Sequence, residues 1–290
     1  MKQQKVHTLL ALFLIFSSIG LGQDTLSMTT FFPSGTHFLS LRANIAEAKV
    51  GVLILADNRT LKVDIGNSLD LIKLDYKDAS SISIGLDFMA YANAVSYREY
   101  QLQISALDGF FGGNLVYSKG AKDFRKFLRL RYLHNSAHQV DGYFDATNNQ
   151  WLNNRMPVPF IRDNMEIGGA IESTGNEFHM RPYAAVSYSV HTRPRDFKKI
   201  LAYTGIEVNT INHDEKAKLP LCYFMAAQTQ LSGSTAYQMS YHIQGGIKFG
   251  KWESKGILFY LSYYNGRNYF NEFYEYRLNR FSFGFFADFP

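Results

Sequence analysis

Two residues apart on what reads as one extended segment, His134 and Ser136 present an imidazole and a hydroxyl to the same side of the chain. Side chains alternate along a strand, so positions i and i+2 share a face. At that spacing an imidazole can take a hydroxyl proton once a third group orients the ring, which is the chemistry of an activated serine nucleophile. Leu128, Leu130 and Tyr132 set the parity of the row that His134, Ser136 and His138 continue, while Arg129 and Arg131 fall on the other side. The reactive pair therefore sits on the greasy face. Polar residues at the top of a strand, packed with Asn135 and Gln139 into a loop base, would give the same pattern without catalysis.

A strand with an oily exterior and a charged interior belongs to a sheet whose solvents are inverted, and the end of the chain has that character. Phe281, Phe283, Phe285, Ala287 and Phe289 point one way, and Ser282, Gly284, Phe286 and Asp288 point the other. This resembles the closing strand of an outer-membrane β-barrel, with hydrocarbon outside and water inside. Tyr237, Met239, Tyr241, Ile243, Gly245, Ile247 and Phe249 alternate with Gln238, Ser240, His242, Gln244, Gly246 and Lys248, a longer run than a soluble half-buried strand needs. Ile82, Ile84, Leu86 and Phe88 alternate with Ser81, Ser83, Gly85 and Asp87. Ala184, Val186, Tyr188 and Val190 alternate with Ala185, Ser187, Ser189 and His191.

Strands are expected at 49–56, 60–72, 80–95, 99–107, 123–139, 164–174, 177–191, 198–210, 220–232, 235–250, 256–265 and 279–289. The fold class that follows is all-β, a single antiparallel transmembrane β-barrel of about twelve strands, an even number that leaves both ends in the periplasm. The links Gly175-Asn176 and Lys251 to Ser254 are short, as periplasmic turns are, whereas 140–163 and 266–278 are long, as extracellular loops are. The stretch from Asp108 to Lys122 fits neither description. At the other end, Lys2 and Lys5 precede an apolar run from Leu9 to Phe16, followed by Ser17, Ser18, Gly20 and Gly22. That layout reads as a secretory signal cut after Gly22. The expected division is a signal peptide at 1–22, an N-terminal arm or plug at 23–48, and an outer-membrane barrel at 49–290.

Composition narrows the partners. Rings make up 16% of the chain, with 24 Phe and 19 Tyr, which suits an oil-facing exterior with girdles at its two edges. The formal charge of +5 becomes +3 once Lys2 and Lys5 leave, and no dense basic run is present, so nucleic acid is not an expected partner. A lone cysteine, Cys222, has no internal disulfide partner; with no cation flanking it, it reads as a buried thiol. The expected partners are outer-membrane lipids and, through the C-terminal strand, the barrel-assembly machinery.

The triplet His134-Asn135-Ser136 is similar to the His-x-Ser strand motif shared by outer-membrane phospholipases and lipid A deacylases, although Ala137-His138 replaces the Asn-Gly of the phospholipases. In such enzymes an acidic or amide side chain holds the histidine, and the resemblance offers Asp141, Asn148 and Asp163 for that part. Asp163 shares outward parity with Met165, Ile167 and Ile171. A wider resemblance rests on four segments: Asp64-Ile65-Gly66 with Asp70-Leu71-Ile72; Arg131 to His138; Tyr263-Tyr264-Asn265-Gly266; and Phe273-Tyr274 with Arg277 before the closing strand. These look like a bacterial family of outer-membrane barrels of unassigned function.

Other polar groups have simpler expectations. Loop 140–163 offers oxygen ligands at Asp141, Asp145, Asn148, Asn149, Asn153, Asn154 and Asp163 that could hold calcium, but without a fixed ligand spacing; otherwise no cofactor is evident. Tyr263, Tyr264, Tyr269, Phe270, Phe273, Tyr274 and Tyr276 crowd the last hairpin as girdle and loop packing. Arg129, Arg131, Glu166, Glu172, Arg181 and Lys248 are expected to pair inside a narrow barrel. Two functions follow: a non-enzymatic envelope barrel with a structural, binding or small-solute role, or a lipid acyl hydrolase using Ser136 and His134.

Overall fold

The computed structural model describes residues 25–56, 60–97, 101–140, 143–173, 177–210 and 220–289. The expected signal peptide and the Gly175-Asn176 turn lie outside the described residues. Fifteen strands are assigned among those described: β1 Leu26–Phe31, β2 Val50–Leu55, β3 Thr60–Tyr76, β4 Ser80–Tyr97, β5 Gln101–Gly120, β6 Phe124–Gln139, β7 Phe144–Asp145, β8 Gln150–Trp151, β9 Phe160–Ser173, β10 Phe178–Arg193, β11 Ile200–Thr210, β12 Leu221–Gly233, β13 Tyr237–Phe249, β14 Gly256–Arg267 and β15 Arg277–Asp288. Twelve of them, all but β1, β7 and β8, form one antiparallel ring closed by β15 against β2. The closing contact pairs Ser282 with Leu55 and Ala287 with Val50.

Alternation decides which way each side chain faces. On β13, Tyr241 and Ile243 are exposed while Ser240, His242, Gln244 and Lys248 are buried. On β15, Phe281, Phe283 and Phe285 are exposed and Ser282 and Phe286 are buried. A wall that exposes its phenylalanines and buries its lysine and glutamines is built for hydrocarbon outside and a polar lumen. This is an outer-membrane β-barrel.

Some strands run further than alternation suggests. β5 continues to Gly120 through the stretch that fits neither strand nor turn in the sequence. Its glycines interrupt the pattern, yet Gly112 is forced by packing: a Cβ there would meet the backbone oxygen of Tyr132 at 1.9 Å. β3 continues to Tyr76 because its last residues pair with β1, Phe31 opposite Ile72 and Leu26 opposite Tyr76. β2 is short and covers only Leu61 to Asp64 of the same edge. β1 thus satisfies backbone groups of β3 that β2 does not reach.

The segment between β1 and β2 turns into the lumen and is held by charge. Leu41, Arg42, Ala43, Asn44 and Glu47 are buried. Glu47 takes Arg129 at 2.5 Å and Arg131 at 3.4 Å, and those arginines also reach Glu166 at 3.1 Å and Asp87 at 2.9 Å. Arg181 pairs with Glu207 at 2.5 Å and donates to the carbonyls of Leu39 and Ser40. Arg42 and Lys248 share Asp288 at 2.7 and 2.6 Å. The expected internal pairing is present, with Glu47, Asp87, Glu207 and Asp288 added to the network.

The opposite mouth is capped by the β14–β15 loop. Tyr269, Phe270 and Phe273 are buried with Met89, Tyr91, Phe110 and Leu133 on the inner wall, so these rings pack inside the mouth and not on a girdle. Asn271 donates to Asp108, and Glu272 accepts from the Val158 backbone at 3.1 Å. Burial pushes the Glu272 carboxyl above its ordinary pKa. Cys222 is buried, as expected.

Removing one partner of a buried ion pair leaves the other uncompensated, at a cost of about 3–5 kcal/mol. Glu47→Ala should therefore destabilise the barrel by about that amount in urea unfolding in lipid vesicles. An unchanged midpoint would mean that the luminal segment is not anchored through Glu47.

Candidate functional site

β6 starts after the short 121–123 link, and its rows fall as the alternation requires. Phe127, Arg129, Arg131, Leu133, Asn135 and Ala137 are buried toward the lumen, and His134, Ser136 and His138 face outward. His134 lies ten residues beyond the start of β6. At ~3.3 Å per residue and ~40° of tilt, that is roughly 25 Å along the barrel axis, the height of the apolar band. The site is thus about one apolar-band height from the β5–β6 turn.

Strand register then decides the neighbours. β6 lies between β5 and β9, with Phe111 and Asp163 opposite His134, and Gly109 and Ile161 opposite Ser136. Asp163 Oδ1 receives a hydrogen bond from His134 Nδ1 at 2.6 Å and another from the Tyr132 hydroxyl at 3.2 Å. On the other flank the Phe111 ring lies 4.6 Å from the imidazole, centroid to centroid. The ring is therefore fixed between an acid and an aromatic. A carboxylate can only accept from an imidazole, so this contact assigns the proton to Nδ1 and leaves Nε2 of the neutral ring as a base.

Of the three positions offered as the orienting group, Asp163 is the one brought to His134. Asn148 sits in the exposed β7–β8 loop and donates to Asp145 at 2.7 Å. Asp141 lies outside the described residues. Among the described residues no group of three or more His, Cys, Asp or Glu is placed to hold a metal. The Ser136 hydroxyl makes no hydrogen bond to the described residues, so the structure places it on the face of the His134–Asp163 pair without joining it to the ring. Gly109 stands beside that hydroxyl, and a Cβ there would make only an ordinary contact of 3.9 Å with Ser136 Oγ.

A second histidine also reaches the acid. His191 Nδ1 donates to Asp163 Oδ2 at 3.2 Å. Alternation along β10 puts His191 on the luminal side with Ser187 and Ser189, and the structure corrects this. A bulge between Ser189 and His191 shifts the register with β9, so His191 pairs with Asp163 and turns outward. An extra residue in one strand reverses the facing of everything after it. Nothing in the residue types around Val190 marks that bulge.

No protein-family profile matches the chain, and no curated protein matches it. Among solved structures, the chain is similar to outer-membrane expressed OmpT of Vibrio cholerae, with 9% identity and a TM-score of 0.36 over 86% of this chain and 99% of that one.

If Asp163 holds the ring, His134 should show a single Nδ1-protonated tautomer in ¹⁵N imidazole spectra of the refolded barrel. Asp163→Ala should return it to a tautomer mixture. A mixture already present in the unsubstituted protein would contradict the 2.6 Å contact.

Proposed function

We propose that this barrel is a lipid acyl hydrolase, phospholipase or lipid A deacylase in type, working on the outer surface of its own wall. The observation that supports the reading is the hydrogen bond from outward-facing His134 to Asp163, with Ser136 on the same face two residues on. A polar cluster at the edge of an apolar band is costly unless its groups are partnered or used. Here one aspartate partners two histidines and a tyrosine, while one hydroxyl is left over.

In this reading Ser136 Oγ attacks the ester carbonyl of an acyl chain that lies in the outer leaflet, and its proton passes to His134 Nε2. Asp163, on Nδ1, steadies the imidazolium that forms. The lipid alcohol leaves with that proton, and an acyl group stays on Ser136. Water, deprotonated by His134, then releases the fatty acid and restores the serine. A rotation of Ser136 or a small shift on substrate binding brings the hydroxyl to Nε2, since such contacts commonly tighten only in the substrate complex. The substrate arrives by lateral diffusion in the membrane without entering the lumen.

The test is fatty acid release from phospholipid or lipopolysaccharide by protein refolded in detergent. Ser136→Ala should lower the rate by at least about 10³-fold. Asp163→Asn should lower it by about 10²- to 10⁴-fold. Both variants should retain the folded barrel's heat-modifiable mobility on gels. Release that persists in Ser136→Ala would remove the serine from the reaction, and no release from the unsubstituted protein on either lipid would remove the hydrolase reading.

A further inference from the structure

The inner face of the same strands carries a different set of groups. Between the luminal segment at Ala43 to Ala46 and the loop that caps the mouth lies a cavity of about 110 Å³, several times what one water needs. Arg162 from β9 and Arg267 from the end of β14 line it. Their exposures are 4% and 9%. Both guanidinium carbons lie against one buried ring, Phe197, at 5.9 and 5.4 Å from its centroid.

These two cations differ from every other arginine described in the lumen. Arg42, Arg129, Arg131 and Arg181 each have a carboxylate at ion-pair distance. Arg162 has none; it donates to the Ser189 hydroxyl and the Lys198 carbonyl, both at 2.9 Å. Arg267 makes no side-chain hydrogen bond to the described residues, and its Nη1 is buried without a partner. Asp108, under the same loop, accepts from Asn271 and acts on Arg267 only from beyond ion-pair distance. Glu166 borders the cavity too, but it is held by Arg129.

A guanidinium keeps its proton even when buried, so it cannot relieve its charge by titrating. Two of them sharing one ring and lining one void lack the carboxylate partner that Arg42, Arg129, Arg131 and Arg181 each have. Gln228, Gln230 and Asn164 also border it, with neutral groups able to donate hydrogen bonds. We propose that this cavity is a binding site for a small oxyanion, a carboxylate or phosphate group, clamped between Arg162 and Arg267 inside the barrel mouth. Forked guanidinium donors match the geometry of such a group. The bound anion would complete the luminal charge pairing and fasten the capping loop to the wall. The site is separate from Ser136, so either proposal can fail alone.

The experiment is a thermal unfolding titration of the refolded barrel with inorganic phosphate or acetate, ionic strength being held constant with chloride. The midpoint should rise saturably with one or both, and the two arms distinguish a phosphate from a carboxylate site. Arg267→Gln should weaken the effect by at least about tenfold. Arg277→Gln, at an exposed arginine of β15, should leave it unchanged. Equal responses in the Arg267 and Arg277 variants, or no saturable response to either anion, would overturn the proposal. If Arg267→Gln does not fold, crystals of the unsubstituted protein soaked in selenate decide the matter. Anomalous density within hydrogen-bonding distance of Arg162 and Arg267 supports the site, and density elsewhere only, or none, overturns it.

Discussion

Hydrocarbon offers no hydrogen bonds, so a sheet that faces it must satisfy its backbone groups with its own strands, and a closed ring does so. The pairing of β15 with β2 is therefore the contact on which this structure depends. It is also a thin contact. β2 spans six residues, and the lower part of β3 is covered by β1 instead. The segment joining β1 to β2 passes through the lumen, so the same stretch of chain closes the wall and fills its interior. Arg42 links the two tasks: its guanidinium pairs with Asp288 at the end of β15, and its backbone N–H is taken by Glu207 on β11.

Closure makes every strand two-faced, and near the outer edge both faces carry polar groups. His134, Ser136 and Asp163 point out, while Asn135, Arg162 and Asn164, their immediate neighbours in sequence, line the interior. Outside, polarity is organised around one acid that holds two imidazoles. Inside, two arginines share one ring and neither has a carboxylate at ion-pair distance. The backbone of β6 and β9 separates the two clusters. The outer cluster lies on the membrane-facing side of the wall, and the inner one lies beneath the loop that caps the mouth.

Much of this is legible in the sequence because a barrel wall repeats one rule. The phenylalanine row of β15, the thirteen-residue alternation through Tyr241, and the outward parity of His134, Ser136 and Asp163 follow from period-two patterning with one inverted solvent. What escapes is whatever breaks the period. The bulge at Ser189 to His191 turns a histidine from the lumen to the membrane side. The glycines of β5 obscure a strand that close packing against Tyr132 demands. Tyr269, Phe270 and Phe273 have the composition of a girdle but sit under the mouth, because a loop can fold back over an apolar patch formed by Met89, Tyr91 and Phe110. That patch comes from strands more than 150 residues away, and no local pattern reveals it.

The claim that supports all the others is that oil lies against the face bearing Phe283, Ile243 and Ser136. Nitroxide labels introduced singly along β13 and at position 136, in a Cys222→Ser background and in lipid vesicles, test it most directly. Quenching by oxygen, which concentrates in the bilayer, should dominate at positions 239, 241, 243 and 247. It should fall at 240, 242, 244 and 248, and position 136 should lie at the boundary, accessible to oxygen and to a water-soluble quencher alike. The opposite phase along β13, or a label at 136 shielded from both quenchers, would contradict the account.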